Sequence, residues 1–573
     1  MQEEDALPGA EDLSASFYNE ESCSRRKWLE KITVPAIAAI GAGMIGSRVS
    51  AAPRWEETGK TGAGGVYNIR DFGAKGDGTT IDTVAVQAAI DKCAADNGGT
   101  VLVPTGTFII GTIALKTNVN LHLTVQGKLQ GSARREDYKS GEGVPAGNGN
   151  VVLLYAANAD NISIDGRGTI DGNGTSFYTG QGDNTGPNSK GGGYFDRPHL
   201  IIFYNCTNIL VRDTFFTKSA YHCFRILKCT RVNLDGVRIY NRVNKNNDGF
   251  HFNDSKYVHI TNCDVACQDD ACALFGSNQF VTVVNCTFST RWSVFRFGGG
   301  DAQNITVSNC IIYETYGCPI KISSGKARIQ NITFSNIIMQ NVTGPISIGF
   351  SGSKTDSADA APSFVRNLSF NNIRATVVKQ PINHADIPFD VKPFDGEQYS
   401  CISLNGINNF FLENISFTDI QVIYVGGGSA ELAAKRNIPQ VVSEYFGVWK
   451  EAPVGPPAYG MYARNVKGLV MQNVRFTVEQ QDYRPAVIFD NVHDASITGL
   501  VAQGNAHSEL VNLAACTDIV FTATKVRSEA KNFVTIEGDT SDGIFIDGGD
   551  LRKATQVAVF KNGAKERALQ SRI

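Results

Sequence analysis

The chain has 573 residues, with 53 Lys+Arg against 56 Asp+Glu for a formal charge of -3, and 58 glycines. Hydrophobic residues at 42% and charged ones at 19% exclude general disorder, and the near-neutral balance gives no basic footprint for nucleic acid. Abundant glycine with only 5 Met disfavours a helical bundle, a coiled coil or a polytopic membrane protein.

In chain order, Ser24-Arg25-Arg26-Lys27-Trp28-Leu29 precedes an apolar run over 32–45 and the small residues Ser50-Ala51-Ala52. Paired arginines, a short apolar stretch and a small-residue cleavage site read as a bacterial twin-arginine export signal over 1–52, followed by a linker over 53–65. The run contains Pro35 and is short for a bilayer core of about 30 Å, so no membrane contact is expected after cleavage. The mature chain is expected to be periplasmic or secreted and monomeric. An amphipathic helix is predicted over 81–93, with Ile81, Val84, Ala85 and Ala88 on one face, capping the open end of a repeat array.

The body of the chain is that array. The pattern apolar-x-apolar-x-Asn recurs at Val258-His259-Ile260-Thr261-Asn262, Val281-Thr282-Val283-Val284-Asn285, Ile305-Thr306-Val307-Ser308-Asn309 and Ile332-Thr333-Phe334-Ser335-Asn336. The markers Val211, Leu234, Ile260, Val283, Val307 and Phe334 stand 23, 26, 23, 24 and 27 residues apart. Each unit holds two or three short β-prone stretches that cannot bury an apolar face alone, and stacking coils about 4.8 Å apart solves that. The prediction is an all-β, single-stranded right-handed parallel β-helix over 66–573; a propeller needs units of about 40–45 residues. In register, Asn262, Asn285, Asn309 and Asn336 form an asparagine ladder, with Cys263, Cys286 and Cys310 in the adjacent column. Insertions at 172–195, 352–362, 380–398 and 426–458 are predicted to leave the coils as loops that wall a cleft. Of the 13 Cys, most are expected to be unbridged buried thiols, because stacked positions have parallel Cβ vectors. No Cys-x-x-Cys pair or histidine cluster has zinc spacing, so neither a metal nor another cofactor is expected.

One segment stands out chemically: Asn246-Asn247-Asp248-Gly249-Phe250, then Gln268-Asp269-Asp270. Asp248 and Asp269 are 21 residues apart, close to one coil, which gathers three carboxylates on one face. Like charges so placed cannot all ionise easily, so at least one retains a proton near neutrality. A protonated acid opposite a carboxylate-held water is what an inverting glycosidase needs. Turn capping and calcium binding are the competing readings of the same residues.

These residues resemble glycoside hydrolase family 28, the polygalacturonase-like β-helix enzymes, whose pattern is Asn-Thr-Asp-Gly followed one coil later by Asp-Asp. Phe72-Gly73-Ala74-Lys75-Gly76-Asp77-Gly78 is similar to the family's opening, and Gly168-Thr169-Ile170-Asp171-Gly172-Asn173-Gly174 to its early Ile-Asp-Gly motif. Arg197-Pro198 with Asn205-Cys206, Pro457-Ala458-Tyr459-Gly460 and Asp482-Tyr483-Arg484-Pro485-Ala486 extend the resemblance along the chain. It implies that Asp269 is the general acid, that Asp248 and Asp270 activate water, that Asn246 orders the cluster, and that Lys321 is the lysine of the family's Arg-Ile-Lys. Two departures stand beside these matches. No histidine occurs in Thr290-Arg291-Trp292-Ser293-Val294, where the family has Gly-His-Gly, and Pro319 replaces the arginine of Arg-Ile-Lys. Arg296, one period before Lys321, is expected to supply the missing guanidinium, His251 the missing imidazole near the acid, and Trp292 a sugar-stacking platform.

The expected function is an exported inverting glycoside hydrolase acting on a pectin-type polysaccharide, galacturonan or rhamnogalacturonan, without a cofactor or a nucleic-acid partner. The alternatives are a polysaccharide lyase on a uronate polymer and a non-catalytic carbohydrate-binding β-helix.

Overall fold

The computed structural model describes residues 64–573, apart from 148, 178–196, 326, 351–362, 381, 383, 385–394, 409, 437 and 439–453. The export signal over 1–52 and the predicted linker up to residue 63 lie outside the described residues, as do most of the insertion loops. No helix among the described residues is long and apolar enough to cross a membrane.

The chain is a right-handed parallel β-helix. Its described strands pair in parallel with the next coil, apart from Lys139–Ser140, which runs antiparallel to Val151–Val152, and two isolated bridges. The repeat arithmetic reappears as register: Val211, Leu234, Ile260, Val283, Val307, Phe334, Phe370 and Phe417 are successive partners on eight coils. Their side chains fill the interior, and the rings of Phe334, Phe370 and Phe417 stack at centroid spacings of 5.5 and 4.9 Å.

The helix that caps the stack is Thr83–Ala95. Its buried face is Val86, Ala89, Ile90 and Cys93, not the predicted Ile81, Val84, Ala85 and Ala88. Ile81 instead ends the strand Asp77–Ile81, Val84 is 82% exposed, and Asp82 turns the chain by accepting from Lys75 N and Gly76 N. The face is offset because the helix begins two residues later than the apolar pattern does, which rotates every position by about 200°.

The asparagine column forms, with a different start. Asn309 donates to Asn285, Asn336 to Asn309 and Asn372 to Asn336, whereas Asn262 donates to Asp235 of the preceding coil. Each of these asparagines also sits at positive φ, 55° at Asn309, so the side chain and the left-handed backbone are selected together. Asn309→Gly is expected to keep the backbone and lose two exposed hydrogen bonds, costing about 1 kcal/mol. Asn309→Ala adds left-handed strain of about 1–2 kcal/mol, so urea midpoints should fall in the order wild type, Gly, Ala. The twelve described cysteines are all buried and unbridged.

Candidate active site

The strands Phe224–Leu227, Phe250–Asn253, Cys272–Phe275, Phe295–Gly298, Ile320–Ser324 and Ile346–Phe350 stack as one sheet. Along it Arg225, His251, Ala273, Arg296, Lys321 and Ser347 are register partners, one per coil. The expectation that Arg296 stands directly before Lys321 therefore holds as geometry. The ladder continues into the turn ahead of these strands: Leu200 N donates to His222 O, Cys223 N to Asp248 O, and Gly249 N to Asp270 O. His222, Asp248 and Asp270 are thus successive rungs. The backbone partner of Asp248 is Asp270, not Asp269, whose own N–H reaches back to Asn247 O.

Local chemistry explains why the turn has this shape. Asn247 is fully buried and completely satisfied, accepting from Val243 N and Asn244 N and donating to the carbonyls of Ser219 and Tyr221. Gly249 is required because a Cβ there would lie 2.5 Å from Ala271 O and 2.7 Å from Val265 Cγ1.

Asp248 and Asp270 are each 4% exposed, and Asp269 is the least covered of the three. Asp248 Oδ2 lies 2.6 Å from His251 Nδ1 and 3.7 Å from His222 Nε2. The two imidazoles stack at 4.7 Å, and His251 stacks in turn on Phe275 at 5.2 Å. Asp269 accepts from Asn246 Nδ2 at 3.1 Å and from Asp270 N at 3.0 Å, while Thr290 Oγ1 donates to its carbonyl. Asp270 Oδ2 lies 3.4 Å from the Arg296 guanidinium, which also covers the Phe275 ring, and Asp270 Oδ1 is buried without a hydrogen-bond partner.

The electrostatics follow from that packing. Burial first, then the charges of Asp248 and Asp270, hold the Asp269 carboxyl well above the usual carboxylate range. Burial, then Asp270, raises Asp248 likewise, with Arg296 and Arg225 pulling the other way. Burial, then Arg225, pushes His251 down to about 3, and burial with His251 lowers His222 too, so both rings are neutral at pH 7. The site is a proton-holding carboxylate cluster braced by a guanidinium and by neutral imidazoles.

Of the residues singled out from sequence, Asp248, Asp269, Asp270, Asn246, His251 and Arg296 are joined by hydrogen bonds and ion pairs within this turn and sheet. His251 bonds Asp248 rather than the expected general acid, Asp269. Lys321 shares the column of Arg296 and is 2% exposed. Trp292 is carried by the turn after Thr290, under the guanidinium of Arg291 and against the backbone of Gly317. Arg291 itself forms a buried two-point pair with Glu397 at 3.2 and 3.3 Å. Sequence reasoning missed His222, although it lies 26 residues before Asp248, one local period away. It also missed Arg197, which donates to Asn246 Oδ1 at 3.1 Å and covers Tyr221. His222, Asp248 and His251 offer ligand atoms within 4.8 Å of one another, a grouping that column arithmetic alone would have revealed.

A parallel solenoid with acids, a guanidinium and an ammonium on adjacent rungs of one sheet belongs among the carbohydrate-active β-helix proteins. The pattern of Glycosyl hydrolases family 28 matches residues 93–389, and the chain belongs to that family; it is a glycoside hydrolase. It is 27% identical over 330 residues to an exopolygalacturonase of Platanus acerifolia, covering 55% of this chain and 83% of that one. The structure resembles a family 28 exopolygalacturonase of Yersinia enterocolitica (TM-score 0.54, 18% identity, 75% of this chain and 78% of that one). It also resembles a hyperthermoactive exopolygalacturonase of Thermotoga maritima (TM-score 0.52, 19% identity, 72% and 91%).

Proposed function

We propose that the chain is an exported inverting hydrolase of pectin-type galacturonan. Asp269 protonates the glycosidic oxygen, while Asp248 and Asp270 take the proton of a water attacking the opposite face of the sugar. The observation that carries this reading is the buried trio in which Asp269 is held protonated by burial and by its two neighbours. Asn246 and Asp270 N orient the acid, and the His251 ring, donating from Nδ1, keeps Asp248 an acceptor. Arg296 and Lys321 receive the carboxylate of a uronate, for which a guanidinium fork is suited. Export rests on the paired arginines and apolar run before residue 52, and the named relatives support galacturonan as the polymer.

The test is a panel of pectic polymers and oligosaccharides, with reducing ends counted and the first-formed anomer read by proton NMR. Inverted product supports the proposal. An unsaturated, ultraviolet-absorbing product would make the chain a lyase, and binding without turnover would make it a carbohydrate receptor.

Arg296→Ala is expected to lower kcat/KM on galacturonan by about 10–150-fold, the worth of hydrogen bonds to a charged group. Because Arg296 pulls down both Asp248 and Asp269, its removal should also move the pH optimum upward. Arg296→Lys keeps the charge without the fork, so it should restore the pH profile better than the KM.

A further inference from the structure

The outward face that carries the acids does not run open along the solenoid. On the N-terminal side the antiparallel pair Lys139–Ser140 with Val151–Val152 supports a loop, 141–150, that folds back over the sheet. Its Val144, 6% exposed, packs with Val152, Ile202 and Leu227 in a small apolar cluster flanked by Tyr155, Ala157 and Tyr204, separate from the solenoid core. Ile202 is the register partner of Arg225, so this cluster occupies the same outward column as His251, Arg296 and Lys321. Arg225 is itself 5% exposed beneath the loop and donates to Gly149 O at 2.5 Å and Gly147 O at 3.5 Å. Asn150 Nδ2 closes the loop onto Val144 O. The covered rung is one strand spacing, about 4.8 Å, from His251 and the Asp248 it holds.

On the C-terminal side the column passes from Ser347 to Ser403, Tyr462 and Ile488, all buried. There Arg464 donates to Ile438 O and Arg436 to Glu509, which draws the segment after the helix Ala430–Ala433 across the sheet. Between the two covers, His251 and Arg296 keep 14% and 23% of their side chains exposed, and Ser347 is half-buried. From His251 to Ser347 is four strand spacings, about 19 Å.

An enzyme that cuts within a polymer needs the chain to leave the site at both ends. We infer that the loop 141–150 is a fixed wall next to the carboxylates, so that this hydrolase removes units from a chain end and cannot cut internally. The inference rests on the proposed galacturonan hydrolysis. The wall is part of the folded scaffold: opening it would expose the Val144 cluster and strip the buried Arg225 of two carbonyl acceptors.

The experiment compares viscosity loss with reducing ends released from polygalacturonate, and uses oligogalacturonides carrying bulky caps at one end or at both. Wild type should release one product size with little loss of viscosity, cut oligomers capped at one particular end only, and leave doubly capped oligomers intact. Cleavage of the doubly capped oligomers would overturn the inference while leaving the hydrolase reading standing; no cleavage of any substrate would overturn both. Replacing 142–149 by a two-residue Asn-Gly turn, or the milder Val144→Ser, should raise viscosity loss per bond several-fold. A folded short-loop variant with an unchanged ratio would show that the wall lies elsewhere and sink the inference.

Discussion

Asp269→Asn should lower kcat by about 10²–10⁴-fold, the range set by loss of a general acid, while making the protein more resistant to heat. Both effects have one origin. Asparagine keeps the acceptor that Asn246 Nδ2 and Asp270 N address, so the turn keeps its shape, but it has no proton to give. The carboxyl it replaces is held well above the ordinary range, first by burial and then by Asp248 and Asp270.

A buried acid with a raised pKa binds its proton more tightly in the folded chain than in the unfolded one. Folded stability therefore falls as pH rises above the unfolded value of about 4, and the loss stops growing once pH exceeds the raised folded value. Asn removes that slope. The variant should melt about 2 °C above wild type at pH 7, and the gap should close near pH 3, where both chains are neutral at this position. Asp248→Asn should behave in the same direction, since burial and Asp270 raise that group as well. Melting curves at pH 7 and pH 3 with paired kcat measurements check this. A variant that loses activity and is also less stable at pH 7 would mean that the carboxylate is ionised and bonded, not held as an acid.

The division between what could be read and what could not follows the range of the interactions. Coil length and register are written locally, because every coil repeats the same apolar spacing and the same left-handed asparagine. Column arithmetic from Val211 to Phe417 therefore needed no tertiary knowledge. The same arithmetic placed Arg296 beside Lys321. It failed by one residue at the acids: Asp248 and Asp269 are 21 apart, but Gly249 N bonds Asp270 O, because Asn247 gathers the preceding turn and shifts the rung. Illegible altogether were contacts across large separations. Arg225 meets the carbonyl of Gly149 from 76 residues away, and Arg291 meets Glu397 across 106, and no periodicity announces either.

The most destabilising single change expected away from the acids is Arg484→Met. Asp482 and Arg484 are both 1% exposed, joined at 2.7 Å between Arg484 Nη2 and Asp482 Oδ2. Arg484 also donates to the carbonyls of Tyr399, Pro456 and Ala458, and Asp482 accepts from Gly428 N. One pair thus ties together four places in the chain that the coil repeat does not fix. Methionine fills much of the volume but leaves Asp482 charged and buried with three carbonyls unbonded, a loss of about 3–5 kcal/mol. Asp482→Leu combined with Arg484→Met removes the stranded charge, so the double variant should be less damaged than the sum of the singles by more than about 1 kcal/mol. The consequence reaches the acids through a continuous line of contacts. Arg484 covers the Tyr399 ring, Tyr399 belongs to the turn Glu397–Tyr399, and Glu397 pairs with Arg291. Arg291 adjoins Thr290, whose hydroxyl holds the carbonyl of Asp269. Well below its melting temperature, Arg484→Met should therefore retain fold by circular dichroism yet show a changed kcat on galacturonan oligomers. If kcat and KM stay at wild-type values while Tm falls, the pair serves the scaffold alone and the line of contacts carries no coupling to the site.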